Sequence, residues 1–292
     1  MPHTGMGRGM PKKERLFQHP LSQFNFLCYY YVVNKCRALI CGGMEFLMIR
    51  FIIGCLIVFL YLVLTLPIAF ILWLIGKKWP RVQDIVSLRM VQWAFRLILF
   101  VSGTKMEFRG VENIPRDTGV LYVGNHRSYF DILIAFAGFK DVTGFVAKKE
   151  MDRFPIFNLW MRYCHCLFLD RNDLRQGMEV IKTATEMVKN GISVFIFPEG
   201  TRNKNENETD LMEFHEGSFR VSYRSGCPVV PVVMHNTQKI FEAQFPRLVP
   251  QHVIIEYLPP IYPDTLSREE QKHMGASTRA KMQETLRKLN TK

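Results

Sequence analysis

GVLYVGNHRSYFDILIAFAGF, residues 119–139, sets a strand, a turn and a helix in one run. Residues 119–124 are apolar and uncharged, the composition of a buried strand, and 131–139 continue as an apolar helix. Between them lies a polar loop that holds His126 and Asp131. Outward from this unit the alternation repeats. The spacing predicts a helix from Asn172 or Asp173 to about Asn190, stopped by Gly191, and then a strand at 192–197 (ISVFIF). Further strands are expected at 229–234 and 253–258, and Ser267-Arg268-Glu269-Glu270 is a capping-box pattern opening a charged helix to about Leu289. Strands alternating with helices predict one α/β domain over 106–292, a mixed β-sheet flanked by helices. In such folds sites gather in the loops at the carboxyl ends of strands.

Three such loops carry candidate chemistry. In the first, His126 and Asp131 stand five apart across a strand-to-helix turn, which folds the chain back and lets them meet. The carboxylate can accept the Nδ1 proton, select one tautomer and stabilise the imidazolium formed when Nε2 takes a proton. The bland alternative is a loop histidine and a helix-capping aspartate. The second loop, Phe197-Pro198-Glu199-Gly200-Thr201-Arg202, leaves the 192–197 strand. Glycine admits close backbone approach, Thr201 brings a hydroxyl, and Arg202 has a planar fork suited to phosphate. An ordinary turn with a solvated arginine is the competing reading. The third, Leu167-Phe168-Leu169-Asp170-Arg171, is a short apolar strand ending in an acid-base pair, which alone reads as a surface ion pair.

The 292 residues carry a formal charge of +12, unevenly placed: +5 in 1–43, +5 in 44–105 and +2 in the remainder. The excess is therefore N-terminal, and with no RNP-like or zinc-knuckle pattern beside it, nucleic-acid binding by the whole chain is excluded as the reading. Twenty-six uncharged residues, 51–76 (FIIGCLIVFLYLVLTLPIAFILWLIG), separate Arg50 from Lys77. As a helix they would extend ~39 Å, enough to cross a ~30 Å hydrocarbon core. Pro67 keeps a kinked helix or re-entrant hairpin open. Residues 91–101 (VQWAFRLILFV) are too short to span and carry Arg96, and are expected as an interfacial helix. Residues 44–105 are thus read as the membrane-anchoring part. Residues 1–43, rich in proline and glycine, are read as a poorly structured basic extension or an over-long start. Lys77, Lys78, Arg81 and Arg89 after the run outnumber Arg37 and Arg50 before it, so the body is expected to face the cytoplasm. Seven scattered cysteines suggest reduced thiols. Cys164-His165-Cys166 lacks a second ligand pair at zinc spacing and reads as a buried cluster of small residues rather than a metal site.

Taken together, NHRSYFD, LFLDR, FPEGTR and a Val-Pro-Val segment at 230–232, in that order after a hydrophobic N-terminal part, resemble the glycerolipid acyltransferase family. The likeness covers roughly 45–260 and is strongest to its bacterial-type 1-acyl-glycerol-3-phosphate acyltransferases. It implies acyl transfer from an acyl thioester, on coenzyme A or acyl carrier protein, to the free sn-2 hydroxyl of the lysophospholipid, giving phosphatidic acid. On that resemblance His126 is the general base and Asp131 its orienting carboxylate. Glu199, Gly200, Thr201 and Arg202 would line the acceptor site, with Arg202, Arg171 and Lys148 as phosphate contacts. No metal or other cofactor is called for, and an anionic membrane surface is the expected partner. Glycerol-3-phosphate or another lysophospholipid remains open as acceptor. A lipid hydrolase would ordinarily bring a Gly-x-Ser-x-Gly elbow, which does not occur in the chain. A non-catalytic membrane-binding protein would have no use for His126.

Overall fold

The structure, a computed structural model, describes residues 44–291, and the fold below is that of the unit Leu47–Lys292. The expectation for 1–43 lies outside the described residues.

The long apolar run is two helices, α1 (Met44–Leu64) and α2 (Leu66–Gly76), broken at Thr65. Pro67 sits in the first turn of α2, where its missing N–H costs nothing, and the Thr65 hydroxyl donates to the Tyr61 carbonyl at 2.6 Å. Residues 47–64 of α1 are long and apolar enough to cross a membrane. One face of the pair packs on the body: Phe51 stacks on Phe241 at 5.4 Å, Tyr61 lies 5.6 Å from Trp160, and Tyr163 Oη donates to the Ala69 carbonyl at 3.0 Å. The other faces, including Ile52, Leu56, Phe59, Leu64, Phe70 and Ile71, are exposed.

Helix α3 (Pro80–Val101) is twice as long as the segment expected at 91–101. Asp84, Ser87 and Arg89 interrupt the apolar run in sequence, yet they lie on a helix whose inner face, with Leu88, Val91, Gln92 and Leu99, is buried in the body. Gln92 donates to the carbonyls of Phe136 and Phe139, and Arg96 to that of Ala137. These polar residues therefore cap the end of the following helix, α4 (Phe130–Gly138), where last-turn carbonyls lack partners and a cation is favourable. Trp93 remains exposed.

Seven strands form one sheet: β1 (Lys105–Arg109), β2 (Leu121–Gly124), β3 (Thr143–Lys148), β4 (Leu167–Leu169), β5 (Ser193–Ile196), β6 (Val229–His235) and β7 (His252–Tyr257). Their order is β1-β7-β6-β2-β5-β3-β4. Every pairing is parallel except β6 with β7, so the sheet is mixed. Strands β2 and β5 are buried on both faces and read as continuous apolar runs, as parallel strands under two helical layers must. Alternate residues feed separate cores. Tyr122, Val230 and Phe195 pack with α3 and α4; Leu121, Val123 and Val194 pack opposite, with α6 (Leu174–Lys189) and α9 (Met274–Asn290). The short helices α5 (Pro155–Tyr163), α7 (Arg220–Ser225) and α8 (Arg268–Lys272) complete the count among the described residues.

Helix α6 is capped as expected, Asp173 accepting from the amides of Arg175 and Gln176, with Gly191 following at φ +80°. The capping box at Ser267 and Glu270 is present, but the C-terminal helix it opens is interrupted at His273 rather than running unbroken. Because β2, β5, β3, β4 and β6 run parallel, the loops after them emerge along one sheet edge. That puts the three candidate loops at one end of the sheet, the first two on adjacent strands and the third two strands further on.

Candidate active site

The strand β2 ends at Gly124, where an added Cβ would come within 2.6 Å of the Phe195 ring. Glycine there lets β2 and β5 pack closely while the chain turns. Asn125 then locks the turn to β6, donating to the Met234 carbonyl at 2.9 Å and accepting from its amide at 2.8 Å. The next residue is His126, with α4 beginning four positions on.

His126 Nδ1 lies 2.8 Å from Asp131 Oδ2, and Asp131 is fully buried. The same carboxylate oxygen accepts the amides of Arg127 (2.7 Å) and Ser128 (2.8 Å). Asp131 is thus the partner of the imidazole and also ties down the turn entering α4, without capping the helix, whose N-cap position is Tyr129. The His126 ring stacks on Phe197 at 4.0 Å, leaving Nε2 without a partner among the described residues. One nitrogen is oriented, and the other is available to a reacting hydroxyl.

The second loop braces the first from below. Glu199, expected to line the acceptor site, is instead only 2% exposed, and both its oxygens are occupied: Oε1 accepts the His126 amide at 2.9 Å and Oε2 the Met212 amide at 3.0 Å. Burial pushes its carboxyl above the ordinary range, against the pull of those two amides. The Asn203 amide donates to the His126 carbonyl at 2.7 Å, so both peptide groups of the histidine are held by this loop. Gly200 makes the reversal between them at φ +71°, beside the His215 ring, and Thr201 is exposed.

Arg202 reaches the mouth of the site. Its guanidinium lies over the Tyr129 ring at 3.8 Å, and Nη1 is 3.4 Å from Glu242 Oε1. Neighbouring Arg127 is buried, its guanidinium held by Gln238 and the Asn205 carbonyl. It serves as a brace between loops. Lys148 and Arg171 belong to the same sheet edge but stand two and three strands from β2, about 10 and 14 Å along the sheet. Lys148 pairs with Glu150 at 3.0 Å, and Arg171 is exposed. Neither meets the His126 cluster.

Sequence reasoning passed over Phe197, Asn125, Gln238 and Glu242. Asn125 had a signal, as a polar residue directly after a buried strand, and Phe197 opens the quoted FPEGTR stretch. Glu242 had none, since it lies 114 positions from Ser128, which it contacts. The Cys164-His165-Cys166 thiols are buried, and burial raises both, Cys166 to about 12. Among the described residues no cluster of three histidine, cysteine or acidic side chains is arranged to hold a metal ion.

A protein-family model described as Acyltransferase matches residues 105–235. A probable 1-acyl-sn-glycerol-3-phosphate acyltransferase of Mycoplasma pneumoniae is 30% identical over 209 residues, covering 64% of this chain and 76% of that protein. The 1-acyl-sn-glycerol-3-phosphate acyltransferase of Borreliella burgdorferi is 30% identical over 156 residues, 53% of this chain. The match spans 61% of the Borreliella protein, and only 39% of the chloroplastic BAT2 enzyme of Brassica napus. Among solved structures, the 1-acyl-sn-glycerophosphate (LPA) acyltransferase PlsC from Thermotoga maritima superposes with a TM-score of 0.71 at 23% identity, over 84% of this chain and 97% of that one. The fold is shared.

Proposed function

This chain belongs to the acyltransferase family, and from that membership we propose that it moves a fatty acyl group from an acyl thioester to the sn-2 hydroxyl of 1-acyl-glycerol-3-phosphate, giving phosphatidic acid. The observation that carries the reading is the 2.8 Å bond between His126 Nδ1 and the buried Asp131, with Nε2 left open. Nε2 takes the proton as the acceptor oxygen attacks the thioester carbonyl. The tetrahedral intermediate collapses, the carbon–sulfur bond breaks, and the imidazolium returns the proton to the departing thiolate of coenzyme A or acyl carrier protein. Asp131 stabilises the imidazolium between the two transfers. The acceptor oxygen is itself the nucleophile, so no covalent enzyme intermediate is needed. Arg202 receives the acceptor phosphate at the mouth of the site.

Both substrates are amphiphiles, so the site must work at a bilayer surface. The exposed apolar faces of α1 and α2 supply the attachment, with the body on the cytoplasmic side. Contacts to the body at Phe51, Tyr61 and Ala69 support a helix pair lying along the protein and entering the bilayer from one side. This also accounts for a run apolar all round: one face meets protein and the rest meets lipid. Lys77 and Lys78, each over a tryptophan ring, suit the headgroup level at the end of α2.

The test is an acyl-transfer assay on the purified membrane-associated chain, with both donor carriers against 1-acyl-glycerol-3-phosphate, glycerol-3-phosphate and larger lysophospholipids. We expect transfer to 1-acyl-glycerol-3-phosphate, lost by about 10²–10⁴ in His126→Ala while membrane partition is kept. Undiminished transfer by that variant would refute the general-base role. A wild-type chain inactive on every acceptor would refute the activity.

A further inference from the structure

Glu242 lies in a segment that no catalytic motif includes, between β6 and β7, and yet its carboxylate joins the two loops of the site. Oε2 accepts the Ser128 hydroxyl at 2.7 Å, and Oε1 accepts the Tyr129 amide at 2.7 Å, both in the turn that leads into the helix bearing Asp131. Oε1 also stands 3.4 Å from Arg202 Nη1, while Arg202 Nη2 donates to the Tyr129 hydroxyl at 3.0 Å and the guanidinium lies over the Tyr129 ring. Glu242 has only 15% of its side chain exposed, so its charge is partly withdrawn from water and the pairing is stronger than that of a surface ion pair.

We propose that Glu242 is a positioning residue for acceptor recognition: it fixes Arg202 against Tyr129, at a set offset from His126, and so selects acceptors that carry a phosphate. The proposal rests on the acyl-transfer reading above and adds to it the group that places the phosphate contact. An arginine has five N–H donors. Glu242 and the Tyr129 hydroxyl occupy two of them, which leaves three for an anion on a guanidinium whose rotation is blocked by the stack and the ion pair. An unfixed arginine would still attract a phosphate, but it would lose side-chain entropy on binding and would not set the distance from the phosphate to the attacking hydroxyl. The same carboxylate that orients Arg202 holds the turn carrying Ser128 and Tyr129. The phosphate contact and the base are therefore referenced to one anchor.

The experiment compares wild type, Glu242→Gln and Arg202→Lys, and the double variant, for acyl transfer to 1-acyl-glycerol-3-phosphate and to a monoacylglycerol, which has the hydroxyl without the phosphate. Glutamine keeps one oxygen for the Tyr129 amide, turns its NH2 to the Ser128 hydroxyl, which can accept it, and removes the charge that holds Arg202. We expect KM for the phosphorylated acceptor to rise about tenfold in Glu242→Gln, the scale of one charge-assisted contact, while any fall in kcat is shared equally by both acceptors. The preference for the phosphorylated acceptor should fall by the same factor in Arg202→Lys, and the double variant should lose little more, because the two residues act as one unit. A merely structural role would lower both acceptors alike and move the melting temperature, leaving the preference ratio at its wild-type value; that result overturns the proposal. If Glu242→Gln does not fold, Glu242→Asp, which keeps the charge on a shorter arm, is read by the same ratio. Wild-type protein without transfer to either acceptor removes the underlying reading, and the proposal falls with it.

Discussion

The backbone amide of His126 donates to Glu199 Oε1 at 2.9 Å, so the proposed general base rests on a carboxylate 73 positions away in the loop after β5. With the Asn203 amide on the histidine carbonyl, this bond makes the two motif loops a single structural unit. Its integrity can be tested separately from the chemistry.

Glu199→Gln presents an amide NH2 to one of the two backbone donors that the carboxylate now satisfies. A buried amide left unpaired costs about 1–3 kcal/mol, and we expect a loss of that size in unfolding free energy together with a fall in kcat. The pH dependence has a definite sign. Burial raises the Glu199 carboxyl above its ordinary value of 4.5, so the native state binds this proton more readily than the unfolded chain does. Its contribution to stability is full below the unfolded pKa and is lost as pH rises through the folded one. The melting temperature of wild type minus that of Glu199→Gln should therefore decline on going up through this window and then level off; a difference that grows with pH would contradict the assignment.

Asp131→Asn keeps one oxygen for the Arg127 and Ser128 amides but removes the charge facing the imidazole. We expect kcat to fall by about 10²–10⁴ with little change in KM, since the carboxylate acts on the transition state rather than on acceptor binding. Steady-state kinetics beside a melting curve separate this from collapse of the turn. A kcat within a few-fold of wild type would show that orientation by Asp131 is not required.

Arg202→Ala removes the cation at the mouth of the site. The acceptor KM should rise and discrimination between phosphorylated and phosphate-free acceptors should weaken, with donor KM unaffected. An acceptor KM equal to that of wild type would argue against Arg202 as the phosphate contact.

The anchor prediction concerns sidedness. From Phe51 to Ala69 the helix pair touches the body over about 27 Å of helix axis, close to the thickness of a hydrocarbon core. Held along the body over that length, residues 51–69 have no free segment to reach the far leaflet. In a cysteine-free background, Leu64→Cys in sealed vesicles should be inaccessible to an impermeant thiol reagent added opposite the body. Labelling from that opposite side would establish a transmembrane passage.

The strands β2, β4, β5, β6 and β7, the caps at Asp173 and Ser267, and the proximity of His126 to Asp131 were legible in the chain, because each depends on residues within a few positions of one another, whereas β1, β3 and α5 were not read from it. Periodicity and turn chemistry act at that range. The extent of α3 was not legible, because Asp84, Ser87 and Arg89 interrupt the apolar pattern, and only the tertiary structure pairs Asp84 with His165, buries Ser87 and leaves Arg89 on the exposed side. The break at His273 was likewise not read from the sequence, where no proline marks it. Within the candidate site, residue types and order singled out FPEGTR, but they could not distinguish Glu199, buried under the loop and accepting two amides, from Arg202, half-buried at its mouth. Nor could they single out Glu242, whose partners Arg202, Tyr129 and Ser128 lie 40, 113 and 114 positions away. Local sequence determined most of the elements and the loop that carries His126. The parallel sheet decided which loops meet, and the burial of each carboxylate decided which one braces a peptide, which orients an imidazole and which holds an arginine.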